Sequence, residues 1–276
     1  MKLFSFKGKI KKAVLCVPLL VMSAFPGITG AEGITDAELA KESVSNFIEA
    51  AQSGNISDAV KWVVDTRFES TEEQVEQYKD SISSNPFSNA SIKSIVPASE
   101  NSFTASVDLT RKDTGEINNV LYPVIKQGDT WKVLINGQET MNNRVKKFIQ
   151  LQEDKSAALP LASTHLGSYG DSLVKAGKSE YSNQFNMTED RIGITGWQQI
   201  PGSLTKVDVR YSVVKKGIFS DDVYGQSFHN GMNYWDGEAF YTTVYTAGQT
   251  YSNVYLKVTN EDLGNTVRVK GHIYGN

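Results

Sequence analysis

Apolar positions follow two rhythms along this chain. Over residues 35–54, Leu39, Val44, Phe47, Ile48 and Ala51 recur at helical spacing with polar residues between them. The segment therefore predicts an amphipathic helix, capped by Thr35 or Asp36 and ended by Gly54. A short helix is expected over 56–64, opening on Ser57 and Asp58 and burying Val60, Trp62 or Val63. A third, from 71 to about 82, is mostly charged, with Val75 and Tyr78 as its core-facing residues. After Pro86 the period falls to two. Segments 90–96, 102–109, 119–125 and 130–135 alternate as antiparallel strands do, with turns at 99–101, 113–115 and 127–129. Helices followed by hairpins make an α+β domain in which helices cover one face of a curved antiparallel sheet.

Helical spacing returns over 138–152, where Met141, Val145, Phe148, Ile149 and Leu151 lie opposite Arg144, Lys146 and Lys147. With Glu139, Glu153 and Asp154 flanking them, these bases read as a solvated face rather than a membrane surface. Residues 156–168 mix small residues with Pro160 and Gly167, a linker composition. From Ile192 onward about six strands are expected, at 193–198, 206–214, 223–228, 239–245, 252–258 and 266–274, with no helix between them. That predicts an all-β sandwich or small barrel. In the last two strands, Val254, Leu256, Val258, Val267, Val269 and Ile273 are core candidates. Tyr251, Asn253, Tyr255 and Lys257 are then expected to share a wet face with Arg268, Lys270, His272 and Tyr274. The organisation expected is a cone-like α+β domain at 35–137, a helix and linker at 138–168, and a β-sandwich domain at 169–276.

The order of three helices and then a curved sheet ending in Gly128-Asp129-Thr130-Trp131-Lys132-Val133 resembles the nuclear-transport-factor-two-like, cystatin-like cone of small secreted bacterial domains. The resemblance covers residues 35–137. It implies either an isomerase or dehydratase with a carboxylate, Tyr or His inside the cone, or a member that only binds or dimerises, for instance as a homodimer through the N-terminal sheet. No histidine lies in this half, which argues against a His–Asp base pair. An Asp base assisted by Tyr remains open, with Asp65 or Asp108 and Tyr78 or Tyr122 as candidates. Asp108 lies between Val107 and Leu109, so if those are core it faces out.

Composition narrows the field further. The 276 residues are 39% hydrophobic and 21% charged, the balance of a folded chain. Residues 1–31 read as a secretory signal: five lysines, an apolar run from Ala13 to Ile28, and Thr29-Gly30-Ala31 before the cut. Pro18, Pro26 and Gly27 interrupt that run, so it falls short of the ~20 apolar residues a membrane span needs. Cleavage would move the net charge from −3 to −8 and remove Cys16, the only cysteine. A secreted, cysteine-free protein cannot use disulfides, thiol nucleophiles or thiolate metal sites. Neither half carries a basic excess, so nucleic acid and anionic bilayers are poor electrostatic partners.

Gly170-Asp171-Ser172-Leu173 spells the signature of a family of serine esterases. The Asp-x-x-His partner and a preceding buried strand are missing from the sequence, so the tetrapeptide reads as chance in a loop. The stretch 221–241 is richer, gathering Tyr234, Trp235 and Tyr241 with His229, Asp236 and Glu238. Rings beside carboxylates and amides suit carbohydrate, because sugar C–H faces stack on rings and hydroxyls need hydrogen-bond partners. No calcium loop or paired-histidine zinc motif is present, and neither metal nor cofactor is expected. The reading is a secreted, non-enzymatic binding protein for a cell-envelope glycan or another secreted protein. Its rivals are a hydrolase or isomerase using the cone or Ser172, and a membrane-docking toxin-like protein.

Overall fold

The computed structural model describes residues 34–152, 164–233 and 237–275. The expected signal at 1–31 and residues 153–163 of the expected linker lie outside them.

Helix α1 (Asp36–Ser53) starts on a capping box. The Thr35 hydroxyl accepts from the Glu38 N–H, and the Glu38 carboxylate accepts from the Thr35 N–H at 2.8 Å. It ends on Gly54, whose φ of 74° is the left-handed turn that favours glycine. Helix α2 (Ile56–Ala59) is shorter than expected. Its β-branched continuation, Val63–Asp65, is strand β1, which pairs in parallel with a later strand. A short apolar run does not distinguish helix from strand by period alone. Helix α3 (Thr71–Ser83) is capped by Ser70. Then come β2 (Phe87–Ser99), β3 (Ser102–Arg111), β4 (Ile117–Gln127) and β5 (Thr130–Ile135), forming with β1 a sheet of order β1-β5-β4-β3-β2. The core against this sheet takes Val44, Phe47 and Ile48 from α1, and Phe103, Tyr122 and Trp131 from the strands.

After the two-residue β6 (Glu139–Thr140) and helix α4 (Asn143–Gln152), the elements among the described residues are all strands: β7 (Thr164–Val174), β8 (Ser179–Tyr181), β9 (Arg191–Gln199), β10 (Val207–Lys216), β11 (Asp221–Gly231), β12 (Phe240–Tyr245), β13 (Tyr255–Asn260) and β14 (Val267–Gly275). They form two facing sheets, β6-β11-β10-β13-β8 and β12-β9-β14-β7, with a shared apolar core between them. This is a β-sandwich. As expected, Val254, Leu256, Val258, Val267, Val269 and Ile273 are buried in that core.

Two expectations are corrected. Strands β13 and β14 are not neighbours: β13 pairs with β10 and β8, while β14 pairs with β9 and β7. Alternation sets which residues of a strand share a face but not which strand lies alongside, and the connection after Asn260 crosses between the sheets. Tyr255 and Lys257 are therefore buried on the far side of the molecule from His272 and Tyr274. The other correction is β7, which occupies positions read as linker and loop. Register shifts at Val269/Lys270 and Ile273/Tyr274, with Gly170 at φ 79° and Asp171 at φ 74°, break its alternation and hid it from the period.

From Thr35 onward the chain is one compact unit. Its two halves interlock at the β10–β11 turn. Ile218 and Phe219 enter the N-terminal core, where Phe219 meets Phe47 and Phe87 edge-on, and the Tyr122 hydroxyl donates to the Phe219 carbonyl at 2.7 Å.

Candidate functional site

The carboxylate–tyrosine pair that could have served a cone enzyme does form. The Tyr78 hydroxyl donates to Asp65 at 2.8 Å. Yet Asp65 is also gripped by Arg67, through Nη2 at 2.6 Å, Nε at 2.9 Å and the backbone N–H at 3.0 Å, and all three side chains are buried. Burial foremost, then the Asp65 charge, pushes the Tyr78 hydroxyl well above the usual tyrosine range. A base needs room for the proton's donor, and here Arg67 takes both carboxylate oxygens of Asp65 while the Phe68 ring packs edge-on against Tyr78. Asp108 faces outward, as its alternation implied, and accepts from Asn119 at 2.7 Å.

The same ions tie the halves together. Arg67 reaches Asp221 through Nη1 at 2.7 Å and the Gly217 carbonyl through Nη2 at 2.8 Å. Asp221 also accepts from the Tyr181 hydroxyl at 2.6 Å and from Lys257 at 3.0 Å. Burial alone would raise the Asp221 carboxyl, but Lys257 and Arg67 hold it below the usual carboxylate range. Lys216 donates to the Arg67 carbonyl and sits 4.3 Å from the Tyr255 ring centre and 4.4 Å from that of Tyr181. Burial, with Arg67 beside it, holds its ammonium below the lysine range. A second clamp runs from Arg111 to Asp222 at 2.8 Å. This is a largely buried joint between the two halves.

Ser172 lies in strand β7, not in a loop, and its hydroxyl donates to Glu180, whose carboxyl is raised by burial. The histidine of the neighbouring strand, His272, bonds instead to Ser168, Nδ1 to Oγ at 3.0 Å. A nucleophile needs its base within hydrogen-bonding reach; the hydrogen bond seen at Ser172 goes to a carboxylate.

The expected sugar-binding stretch at 221–241 is largely strand β11, with Asp221 and Asp222 buried in the joint. Tyr234, Trp235 and Asp236 lie outside the described residues. His229 stacks on Phe240 with ring centres 4.3 Å apart and bonds to Asn233 at 3.1 Å, and burial lowers its pKa. Glu238 is exposed, and its backbone carbonyl accepts from Asn233. Because β12 alternates, Phe240 points into the sandwich and Tyr241 points out. The structure thus puts His229 and Tyr241 on opposite sides of the four-stranded sheet.

Tyr241 has different company. On the outer face of that sheet the register aligns Tyr241 with Thr195, His272 and Ser168 across four strands, and aligns Gly193 with Tyr274 and His165. Trp197 lies opposite Lys270, and Tyr245 opposite Arg191. Burial alternates along β14, placing Val267, Val269 and Ile273 in the core and Arg268, Lys270, His272 and Tyr274 half-exposed outside. The Tyr241 ring lies across Gly193: a Cβ at 193 would come within 2.9 Å of its hydroxyl oxygen. Trp197 is held by its indole N–H, which donates to the Gly237 carbonyl at 3.1 Å. The β7 bulge brings Asp171 to Arg268 at 2.7 Å and to Lys270 at 3.8 Å, and these bonds, that from Arg268 foremost, keep its carboxyl below the usual range. At one rim, a groove of about 360 Å³ between β7 and β8 is lined by Ser168, Glu180, Asn183, Lys270 and His272. Among the described residues no three His, Cys, Asp or Glu side chains gather as a metal site.

Sequence reasoning found the β14 half of this face and Tyr241 but missed Trp197, Tyr245, His165 and Ser168. The alternation of 193–198 already set Thr195 and Trp197 on a common side; what was lacking was the pairing of β9 with β14.

No family model and no curated protein matches the chain. Among solved structures, it superposes on one described as a structural basis for the promiscuous specificity of carbohydrate-binding modules from the β-sandwich superfamily. That match has 8% identity and a TM-score of 0.24, over 63% of this chain and 74% of the other. Another match is a β-porphyranase of glycoside hydrolase family 86 from the human gut bacterium Bacteroides plebeius, with 10% identity and a TM-score of 0.17, over 70% of this chain and 38% of the enzyme. Scores this low decide neither fold nor function.

Proposed function

We propose that this is an exported, non-enzymatic binding protein that holds a cell-envelope glycan on the outer face of the β12-β9-β14-β7 sheet. The observation that carries the proposal is the register: four strands bring Trp197, Tyr241, Tyr245, His272 and Tyr274 to one half-exposed face with Thr195, Gln199 and Ser168 among them. Sugar rings stack on such side chains, and the hydroxyls, amide and imidazoles between them supply the few polar groups that fix orientation. Sites on strands are held more rigidly than sites on loops. The Asp65–Tyr78 pair and Ser172 each have their partners inside the protein, which removes the main support for the enzyme readings. Export rests on the lysine-rich and apolar leader; among the described residues no helix is long and apolar enough to cross a membrane.

The test is retention of the full chain on a panel of soluble and insoluble polysaccharides, with Trp197→Ala and Tyr274→Ala alongside. The proposal expects retention by the wild type and loss in both variants. Equal behaviour of all three proteins on every polysaccharide would sink it.

A further inference from the structure

We infer that the groove between β7 and β8 is a second subsite of this face and takes a short side branch of the glycan whose backbone lies on the rings; the inference rests on the binding reading above. Strand β7 ends one sheet of the sandwich and β8 ends the other, so the groove opens at the edge where the two sheets part. Its volume is about 360 Å³. Small-molecule pockets run from about 300 to 1,000 Å³, so this one suits a short saccharide and not a polymer. The ladder row of Tyr241, Thr195, His272 and Ser168 crosses the sheet and ends at the groove, which His272 and Ser168 also line. A backbone resting on that row stays on the sheet face. A branch at the edge can turn down between the sheets.

The groove also holds hydrogen-bonding capacity that the protein leaves unused. Ser172 donates to one oxygen of the Glu180 carboxylate, and the second oxygen is left to accept from a sugar hydroxyl. The Asn183 side chain is exposed on the β8 side, where its amide can both donate and accept. On the inner wall the Tyr169 hydroxyl stands against Gly271, buried and leaning toward that of Tyr211, yet no hydrogen bond closes. A buried polar group without a partner is uncommon in a folded protein and marks where one is missing. The backbone of the β7 wall is shaped to this opening. Gly170 and Asp171 form its bulge at φ 79° and 74°, and Asp171 holds there a left-handed conformation that a non-glycine residue adopts at a cost. The extra residue lets Tyr169 and Ser172, three apart, both turn inward, one to the core and one to Glu180. Unbroken alternation would send them to opposite sides of the sheet.

The experiment measures affinity of the full chain for two pairs of polymers that share a backbone: galactomannan with unbranched mannan, and arabinoxylan with unbranched xylan. Wild type, Glu180→Gln, Asn183→Ala and Trp197→Ala are compared, with mannohexaose and xylohexaose as competitors. The inference expects tighter binding of the branched member in at least one pair. Glu180→Gln should cut that preference about tenfold and Asn183→Ala about fivefold, the scales for losing a hydrogen bond to a charged and to a neutral group. Trp197→Ala should weaken both members alike. Equal affinity within each pair, or a preference unchanged in Glu180→Gln and Asn183→Ala, would overturn the branch subsite and leave the glycan reading standing. Hexamers that compete better than the same mass of branched polymer would assign the groove to a chain end and overturn it too. Retention on no polysaccharide would fell the binding reading itself, and the subsite with it.

Discussion

The two sheets of the sandwich each carry tyrosines and cations on the outer face, and the two faces have opposite fates. On the β6-β11-β10-β13-β8 sheet, Tyr181, Tyr255, Lys216 and Lys257 lie under the N-terminal half, and their charges close onto Asp221, Glu139 and backbone carbonyls. On the β12-β9-β14-β7 sheet, Tyr241, Tyr274, Arg268 and Lys270 remain half-exposed, with Asp171 paired to both cations. Residue type does not separate a joint from a binding face. What separates them is cover: one face is buried under the N-terminal half, and the other stays half-exposed.

That contrast can be broken first at the joint. Asp221→Asn leaves Arg67 and Lys257 buried against a neutral amide, and loss of one partner from a buried ion pair costs about 3–5 kcal/mol. Phe219→Ala removes a ring from the N-terminal core and should cost a similar amount, ~3–5 kcal/mol. Denaturant unfolding measures both; shifts under about 1 kcal/mol would mean the joint is not what holds the halves together. On the open face, Trp197→Ala or Tyr274→Ala should cost only about 1 kcal/mol of stability, the usual scale for a single substitution, while abolishing glycan retention. If these two unfold the protein as Asp221→Asn does, the supposed contrast between the faces disappears.

Gly193→Val is a finer probe. The added side chain meets the end of a flexible tyrosine rather than backbone, so the fold should survive while the Tyr241 ring is displaced from the face. Retention should fall as it does in Tyr241→Ala; an unchanged affinity would take Tyr241 out of the site. The smallest expected effect is in pH. Asp221 has a folded pKa below its unfolded value near 4, so its ion pairs contribute stability above that value and lose it as pH falls through the folded pKa. Unfolding curves of the wild type should weaken on acidification below about pH 4, and those of Asp221→Asn should weaken less over the same range. Parallel acid profiles would show that Asp221 is not a contributor.

Much of this architecture is legible in the sequence because local periodicity is strong where a single face is buried. The α1 pattern, the β3 to β5 alternation and the apolar positions of β13 and β14 all reach the structure with small changes at their ends. Neighbour relations are not legible in the same way. The pairing of β14 with β9 rather than β13 depends on how a loop crosses the sandwich, so Tyr255 and Lys257 were expected in water and are buried. Strand β7 was hidden because its glycines and bulges erase the two-residue period. The reach of Phe219 into the N-terminal core is a contact 97 residues away from Tyr122, beyond any local pattern. For the candidate site, Tyr241 and the β14 residues could be named from the chain alone. Trp197 needed the register.

The most direct test of the open-face account is amide chemical-shift mapping of the full chain titrated with oligomers of a polysaccharide that retains it. The account predicts perturbations concentrated on Thr195, Trp197, Tyr241, Lys270, His272 and Tyr274, with the signals of Arg67, Phe219 and Asp221 unmoved. Shifts centred on the joint or the N-terminal helices, with the β9–β14 ladder silent, would contradict it.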